Sequence, residues 1–235
     1  YVHPEGWEKK GSATEFDEKT WYKTLYKALY IEDLIKMHTA IMDKYDPEKK
    51  IGLICDEWGT WFTCEPGTNP GFLYQQNTMR DALVAGLTLN VFNKHCDRVR
   101  MANIAQLVNV LQAVILTDGP KILLTPTYHV FHMYKYHQDA ELVESYIDGA
   151  GKIGTDADYM VPNLQESVSV DRDGVVTVTL NNLSVTDREE MEIVFTELHP
   201  SEVTAAIVTG RMDAYNTFAA PDQVREAEFQ DFRPT

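Results

Sequence analysis

Apolar and aromatic residues recur at Trp21, Tyr22, Leu25, Tyr26 and Leu29, then at Leu34, Ile35, His38, Ile41, Met42 and Tyr45. That i, i+3, i+4 spacing predicts one amphipathic helix or a pair of them, ended by Asp46-Pro47. Ile51-Gly52-Leu53-Ile54-Cys55 is a short unbroken apolar run, the pattern of a strand buried on both faces in a parallel sheet, and it stops at Asp56-Glu57. A loop from Gly59 to Gly71 leads into a helix with Leu73, Met79, Leu83, Val84, Leu87 and Val91 on its apolar side. Val99 to Ala105 alternates as a second strand and merges into Ile104, Leu107, Val108, Leu111, Val114 and Ile115, which is helical in spacing. Asp118-Gly119-Pro120 breaks that run, and a further helix is expected from Thr127 to Tyr136. Residues 1–20 carry Trp7 and Phe16 without a sustained period and read as a long surface loop.

After about residue 139 the grammar changes. Val168-Ser169-Val170 and Val175 to Leu180 flank Asp173-Gly174, a hairpin signature with a tight turn. Met191 to Phe195 and Val203 to Val208 alternate as further strands. Strands mixed with helices, followed by strands alone, predict two units: an α/β part over residues 1–138 and a β-sandwich over 139–235.

The chain has 235 residues, 44% of them hydrophobic and 24% charged, the balance of a folded protein with a substantial core. Its 21 Lys and Arg against 36 Asp and Glu give a formal net charge of −15, a field that repels phosphate backbones and anionic lipid, so neither nucleic acid nor a membrane is expected as a partner. Every long apolar run is interrupted by a polar or charged residue, which leaves no candidate span. Cys55, Cys64 and Cys96 have no metal-binding spacing and leave one thiol over, so they read as packing residues of a reducing compartment.

In parallel α/β architectures chemistry gathers at the carboxyl ends of the strands, and Glu57 lies there. A carboxylate closing an apolar strand, beside Trp58 and Trp61, offers a sugar site its charge and its flat apolar faces. The bland alternative is a carboxylate that caps the next loop or pairs with an Arg. Alternation along a strand lets only one of Asp56 and Glu57 face the site.

The run Asp56-Glu57-Trp58-Gly59-Thr60-Trp61-Phe62, with Gly71-Phe72-Leu73-Tyr74-Gln75-Gln76, Met79-Arg80-Asp81-Ala82, Phe92-Asn93, Asn103 to Asn109 and Asp213 to Phe218, resembles the α-L-arabinofuranosidases of glycoside hydrolase family 51. Several motifs agree in order from Tyr1 nearly to the end of the chain. The resemblance implies the C-terminal part of a (β/α)8 TIM barrel, from the exit of the sixth strand through the eighth, followed by a jelly-roll-like β-sandwich. It implies Glu57 as the nucleophile of a retaining double displacement, Gln106 as the amide that hydrogen-bonds a sugar hydroxyl, and Tyr1 as the phenol that orients the nucleophile. Trp7, Trp58 and Trp61 are expected as walls of the sugar subsite. Where the family often has Asn after this motif's Trp, the chain has Gly59.

A retaining glycosidase needs a second carboxyl as acid/base. In the family it belongs to an Asn-Glu pair, and no such pair occurs in the sequence. The expectation is a portion of a longer parent enzyme, inactive alone, that needs no cofactor or metal and trims terminal arabinofuranosyl units from arabinoxylan, arabinan or their oligosaccharides. A cytoplasmic location and a homo-oligomer are also expected. The rival readings are another retaining barrel glycosidase, such as a xylosidase or endoglucanase, and a non-catalytic carbohydrate-binding module. His129, His132 and His137 do not share one helix face and read as core or surface residues rather than metal ligands. Asn182-Leu183-Ser184 is a glycosylation triplet without a secretory context.

Overall fold

A computed structural model describes residues 1–196 and 199–233; the other residues of the expected second unit, 197–198 and 234–235, lie outside the described part. Helix α1 (Glu18–Tyr45) is a single helix, started by Asp17, whose carboxylate accepts the Thr20 N–H at 2.8 Å. It buries Trp21, Tyr22, Leu25, Ala28 and Ile35 and leaves Tyr26, Tyr30, Met37, Ile41 and Tyr45 exposed. Its far end is tied to the next strand by Arg98, fully buried, which donates to Asp43, Asp46 and the Ile51 carbonyl.

Strand β1 (Leu53–Trp58), helix α2 (Met79–Lys94) and strand β2 (Val99–Ile104) form a unit in which the two strands pair in parallel. Leu53, Cys55, Trp58, Val99, Ala102 and Ile104 face the core, while Ile54 and Met101 on the opposite face are each half exposed. The expectation of burial on both faces is therefore corrected: only one face of this pair is covered by the described residues.

A hairpin of β3 (Ile115–Asp118) and β4 (Lys121–Leu124) follows, then α3 (Pro126–Tyr134). The helix expected through Leu107 and Leu111 does not form. Asn109 and Leu111 take positive φ of 61° and 52°, which stops helical propagation, and Leu111, Ala113 and Val114 are buried from a compact loop instead. Next come β5 (Glu141–Val143), β6 (Lys152–Ile153), β7 (Val161–Pro162), β8 (Leu164–Val170), β9 (Val176–Asn182), β10 (Ala206–Val208) and β11 (Glu226–Glu228). β5, β8 and β9 form an antiparallel sheet, and the expected hairpin is β8–β9, turning through Asp171 to Val175. Residues 191–195, expected as a strand, have no strand pairing, and only 206–208 of the last predicted strand pairs, with β11.

α2 is the central element. Its apolar positions Met79, Ala82, Val84, Ala85, Leu87, Val91 and Phe92 join Trp21, Leu25, Trp58 and Leu183 in one core. Gly86 lets β9 approach it, because a Cβ there would sit 2.4 Å from the Asn181 Oδ1. The observed architecture is thus mixed α/β with a following antiparallel part, and the described residues close no barrel.

Candidate active site

Beyond β1 the backbone continues as a short parallel bridge between Val2 and Thr60, with Val2 N–H donating to the Gly59 carbonyl and Trp61 N–H to the Val2 carbonyl. This bridge brings the start of the chain against the strand exit. Tyr1 then donates its hydroxyl proton to Glu57 Oε2 at 2.7 Å across 56 positions of sequence. Burial, reinforced by the hydrogen bond to Glu57 and the adjacent negative charge, raises the Tyr1 pKa far above that of a free phenol. Tyr1 therefore stays a donor, holding one oxygen of Glu57 and leaving the other free.

Asp56 and Glu57 are both exposed, and only Glu57 is held by Tyr1. The register between β1 and β2 shifts between Cys55 and Trp58. Such an irregularity re-aims side chains that simple alternation would place inward.

Trp7 and Trp61 lie edge to face with ring centroids 5.5 Å apart, and Trp61 meets Tyr1 at 5.2 Å. His3 sits among them, its Nδ1–H donating to the Trp61 carbonyl at 3.1 Å, with its pKa lowered chiefly by burial. The Lys10 ammonium lies 4.8 Å from the Trp7 ring centre and 5.2 Å from that of Trp61, near enough for cation–π attraction. Tyr1 thus joins Glu57 to Trp61, and Trp61 joins Trp7, so these four residues lie in one run of contacts. Trp58 does not. It is buried, edge-on to Phe92 and stacked on Phe131 at 6.0 Å, so its ring packs in the core, which corrects the expectation of Trp58 as a wall open to a ligand.

Gln106 shares the carboxyl end of the parallel pair, two residues beyond Ile104, the partner of Trp58. Its side chain is exposed, and its main chain is pinned at N–H and carbonyl by Val110 and Val114. No hydrogen bond among the described residues joins it to Glu57. Of the three histidines, His132 bonds Glu226, and His137 bonds Ser169 and Thr179.

Sequence reasoning missed the buried polar layer beneath this rim. Asp81, fully buried, accepts from Thr60 Oγ1 at 2.5 Å and from the Thr78 N–H at 2.7 Å; burial pushes its pKa up. Gln112 accepts the Thr60 N–H and donates to the Asp81 carbonyl, while Gln75 accepts the Phe62 N–H and donates back to Thr60. Thr60 and Phe62, flanking Trp61, are therefore fixed from below. The Thr78-x-x-Asp81 spacing of a helix-capping box was the readable signal for Asp81.

A sequence profile of the family described as "Alpha-L-arabinofuranosidase C-terminal domain" matches residues 56–234. The chain is 44% identical, over 99% of its own length and 46% of the relative's, to the "Intracellular exo-alpha-L-arabinofuranosidase" of Bacteroides ovatus. It is 27% identical to the "Intracellular exo-alpha-(1->5)-L-arabinofuranosidase" of Streptomyces lividans, covering 83% of the chain and 31% of that protein. It superposes on the crystal structure of the GH51 arabinofuranosidase from Xanthomonas axonopodis pv. citri with a TM-score of 0.89 and 45% identity, over 98% of the chain and 46% of that structure. The chain spans less than half the length of these relatives. With three quarters of its residues inside the family match and its fold shared along nearly the whole chain, it belongs to the α-L-arabinofuranosidase C-terminal domain family.

Proposed function

We propose that this chain supplies the nucleophile side of a retaining exo-α-L-arabinofuranosidase that releases terminal α-L-arabinofuranosyl units from arabinoxylan, arabinan or their oligosaccharides. The observation that carries the reading is the Tyr1–Glu57 hydrogen bond of 2.7 Å at the carboxyl end of a parallel strand, beside the Trp7–Trp61 wall. In the proposed reaction the free oxygen of Glu57 attacks the anomeric carbon, forming a glycosyl ester as the glycosidic C–O bond breaks. The departing alcohol oxygen takes a proton from a second carboxylic acid. That group then draws a proton from water, which attacks the anomeric carbon and returns Glu57 as carboxylate. Trp7 and Trp61 offer the sugar apolar faces, and Gln106 offers a neutral donor and acceptor for a hydroxyl.

In this reading residues 1–138 are the C-terminal part of a (β/α)8 barrel and residues 139–235 a jelly-roll-like β-sandwich. Glu57 is exposed, and a cavity of about 90 Å³ beside it is lined by Tyr1 and Trp58 but not by Glu57. The bare face of β1 and β2 at Ile54 and Met101, together with the exposed stripe on α1, suits packing against further strands and helices of a parent polypeptide. That parent would supply the acid/base and the rest of the pocket. Two relatives are named as intracellular, which favours a cytoplasmic enzyme; no helix among the described residues is long and apolar enough to cross a membrane. Self-association into a homo-oligomer is part of the proposal.

The test is to treat the parent polypeptide with an activated arabinofuranosyl inhibitor that leaves a stable ester, and to find the labelled peptide by mass spectrometry. Attachment to Glu57 supports the proposal; attachment to another residue overturns it. Hydrolysis of an aryl arabinofuranoside by the 235-residue chain alone would refute the dependence on a parent.

A further inference from the structure

The first turn of α2 holds an energetic oddity that the reaction does not use. Arg80 is wholly buried at the second residue of the helix, where the dipole is positive and a cation is disfavoured. Its Nη2 donates to the carbonyls of Ser12 at 2.8 Å and Ala13 at 3.2 Å, while its Nε and Nη1 have no partner among the described residues. The neighbouring Asp81 carboxylate is engaged by Thr60 and Thr78, so Arg80 has no direct ion pair with it. Burial lowers the Arg80 pKa to about 10, the mark of an incompletely compensated charge.

In return, the guanidinium lies between two rings, with its central carbon 3.6 Å from the Phe16 ring centre and 4.1 Å from that of Phe62. Phe16 and the two carbonyls belong to the opening loop, which carries Tyr1, His3 and Trp7. Phe62 adjoins Trp61 on the loop leaving β1. The two loops are laced further by Thr63, which donates its N–H to Gly11 and its hydroxyl to Lys9. An apolar side chain could fill the slot between the rings without stranding N–H groups. A flat cation does what such a side chain cannot: it stacks on both rings and grips both carbonyls, fixing one loop against the other.

We propose that Arg80 is a positioning residue that sets the spacing of Trp7 against Trp61, and so governs binding of the sugar unit resting on that wall rather than bond cleavage at Glu57. The inference rests on the arabinofuranosidase reading for its kinetic consequence only; its structural consequence stands independently.

The experiment uses the parent polypeptide labelled with 5-fluorotryptophan, with the Trp7 and Trp61 signals assigned through Trp7→Phe and Trp61→Phe. In Arg80→Lys, which keeps the charge and loses the planar fork, both signals should shift or broaden while that of buried Trp58 stays in place. KM for an arabino-oligosaccharide should rise roughly tenfold to a hundredfold, the scale of an ångström-sized misplacement. Its kcat, and that on a small aryl arabinofuranoside, should stay within about twofold, because the Val2 backbone bonds to Gly59 and Trp61 hold Tyr1 beside Glu57 without Arg80. Phe16→Leu, which retains Arg80 and removes one ring, should move the same signals by less and serves if Arg80→Lys does not fold. Unmoved Trp7 and Trp61 signals would overturn the proposal, as would equal falls on both substrates through kcat. Signals that move in a parent without arabinofuranosidase activity would sink the functional reading and leave the positioning role standing.

Discussion

Toward its carboxyl end α2 meets β8 and β9 through polar groups that satisfy one another, whereas its first turn holds the site loops through a cation that is only partly satisfied. On the seam, Asn90 accepts from Ser167 at 2.9 Å and from Thr179 at 2.8 Å, Asn93 donates to Ser167, and Lys94 pairs with Glu166. His137, Tyr134 and Asn181 complete that layer. At the rim, Arg80 strands two nitrogens, and Glu57 gives only one oxygen to Tyr1. A seam needs every polar group paired, since each orphan subtracts from stability. The proposed site keeps a valence open at the exposed carboxylate of Glu57, whereas the two bare nitrogens of Arg80 are buried and out of a substrate's reach. The two ends of one helix thus separate holding the fold from holding the chemistry.

The sharpest way to break this comparison is Glu57→Ala. In the parent polypeptide turnover should fall by at least about three orders of magnitude, with partial rescue by azide. In the 235-residue chain, where the side chain is exposed, the melting temperature should stay put. Near-normal turnover would favour a binding module instead. Asn90→Ala is the opposite case: it strips two buried hydroxyls of their acceptor and should cost about 2 to 4 kcal/mol in urea denaturation, with activity per folded molecule unchanged. A large loss of kcat there would mean that the seam and the rim are coupled. Tyr1→Phe removes only the donor to Glu57, so kcat/KM should drop about tenfold to a hundredfold with little change in stability.

The smallest effect concerns protons at the seam. Burial lowers the His137 pKa below its ordinary 6.5, so the unfolded chain takes up a proton first as the solution is acidified. Stability from this group is complete above 6.5 and declines as pH falls, levelling off below the folded pKa. His3 and His129 shift the same way, also through burial. His137→Gln should flatten the fall in melting temperature between about pH 7 and about pH 5; an unchanged slope would show that His137 does not carry it.

Much of this molecule was legible along the chain because the signals were local. The period of α1, the apolar run of β1 and the Asp-Gly turn between β8 and β9 each sit within a few residues of one another. Reading failed where distant partners decided the outcome. Leu107 to Ile115 has helical spacing, yet Gln112 is drawn into a buried bond with Asp81, and the chain there turns through positive φ. Trp58 looked like a sugar wall until Phe92 and Phe131 claimed both its edge and its face.

The sequence by itself determined the types of α1, β1, α2, β2, α3 and the β8–β9 hairpin, the acidic field and the carboxylate at the end of the first strand, since these depend on periodicity, charge and neighbouring residues. Only the tertiary structure decided that Trp61 rather than Trp58 would face outward, that Asp81 would anchor a buried polar layer, and that Arg80 would lie between two rings. Those outcomes depend on which surfaces close over one another, and a side chain's environment is fixed by residues remote in sequence.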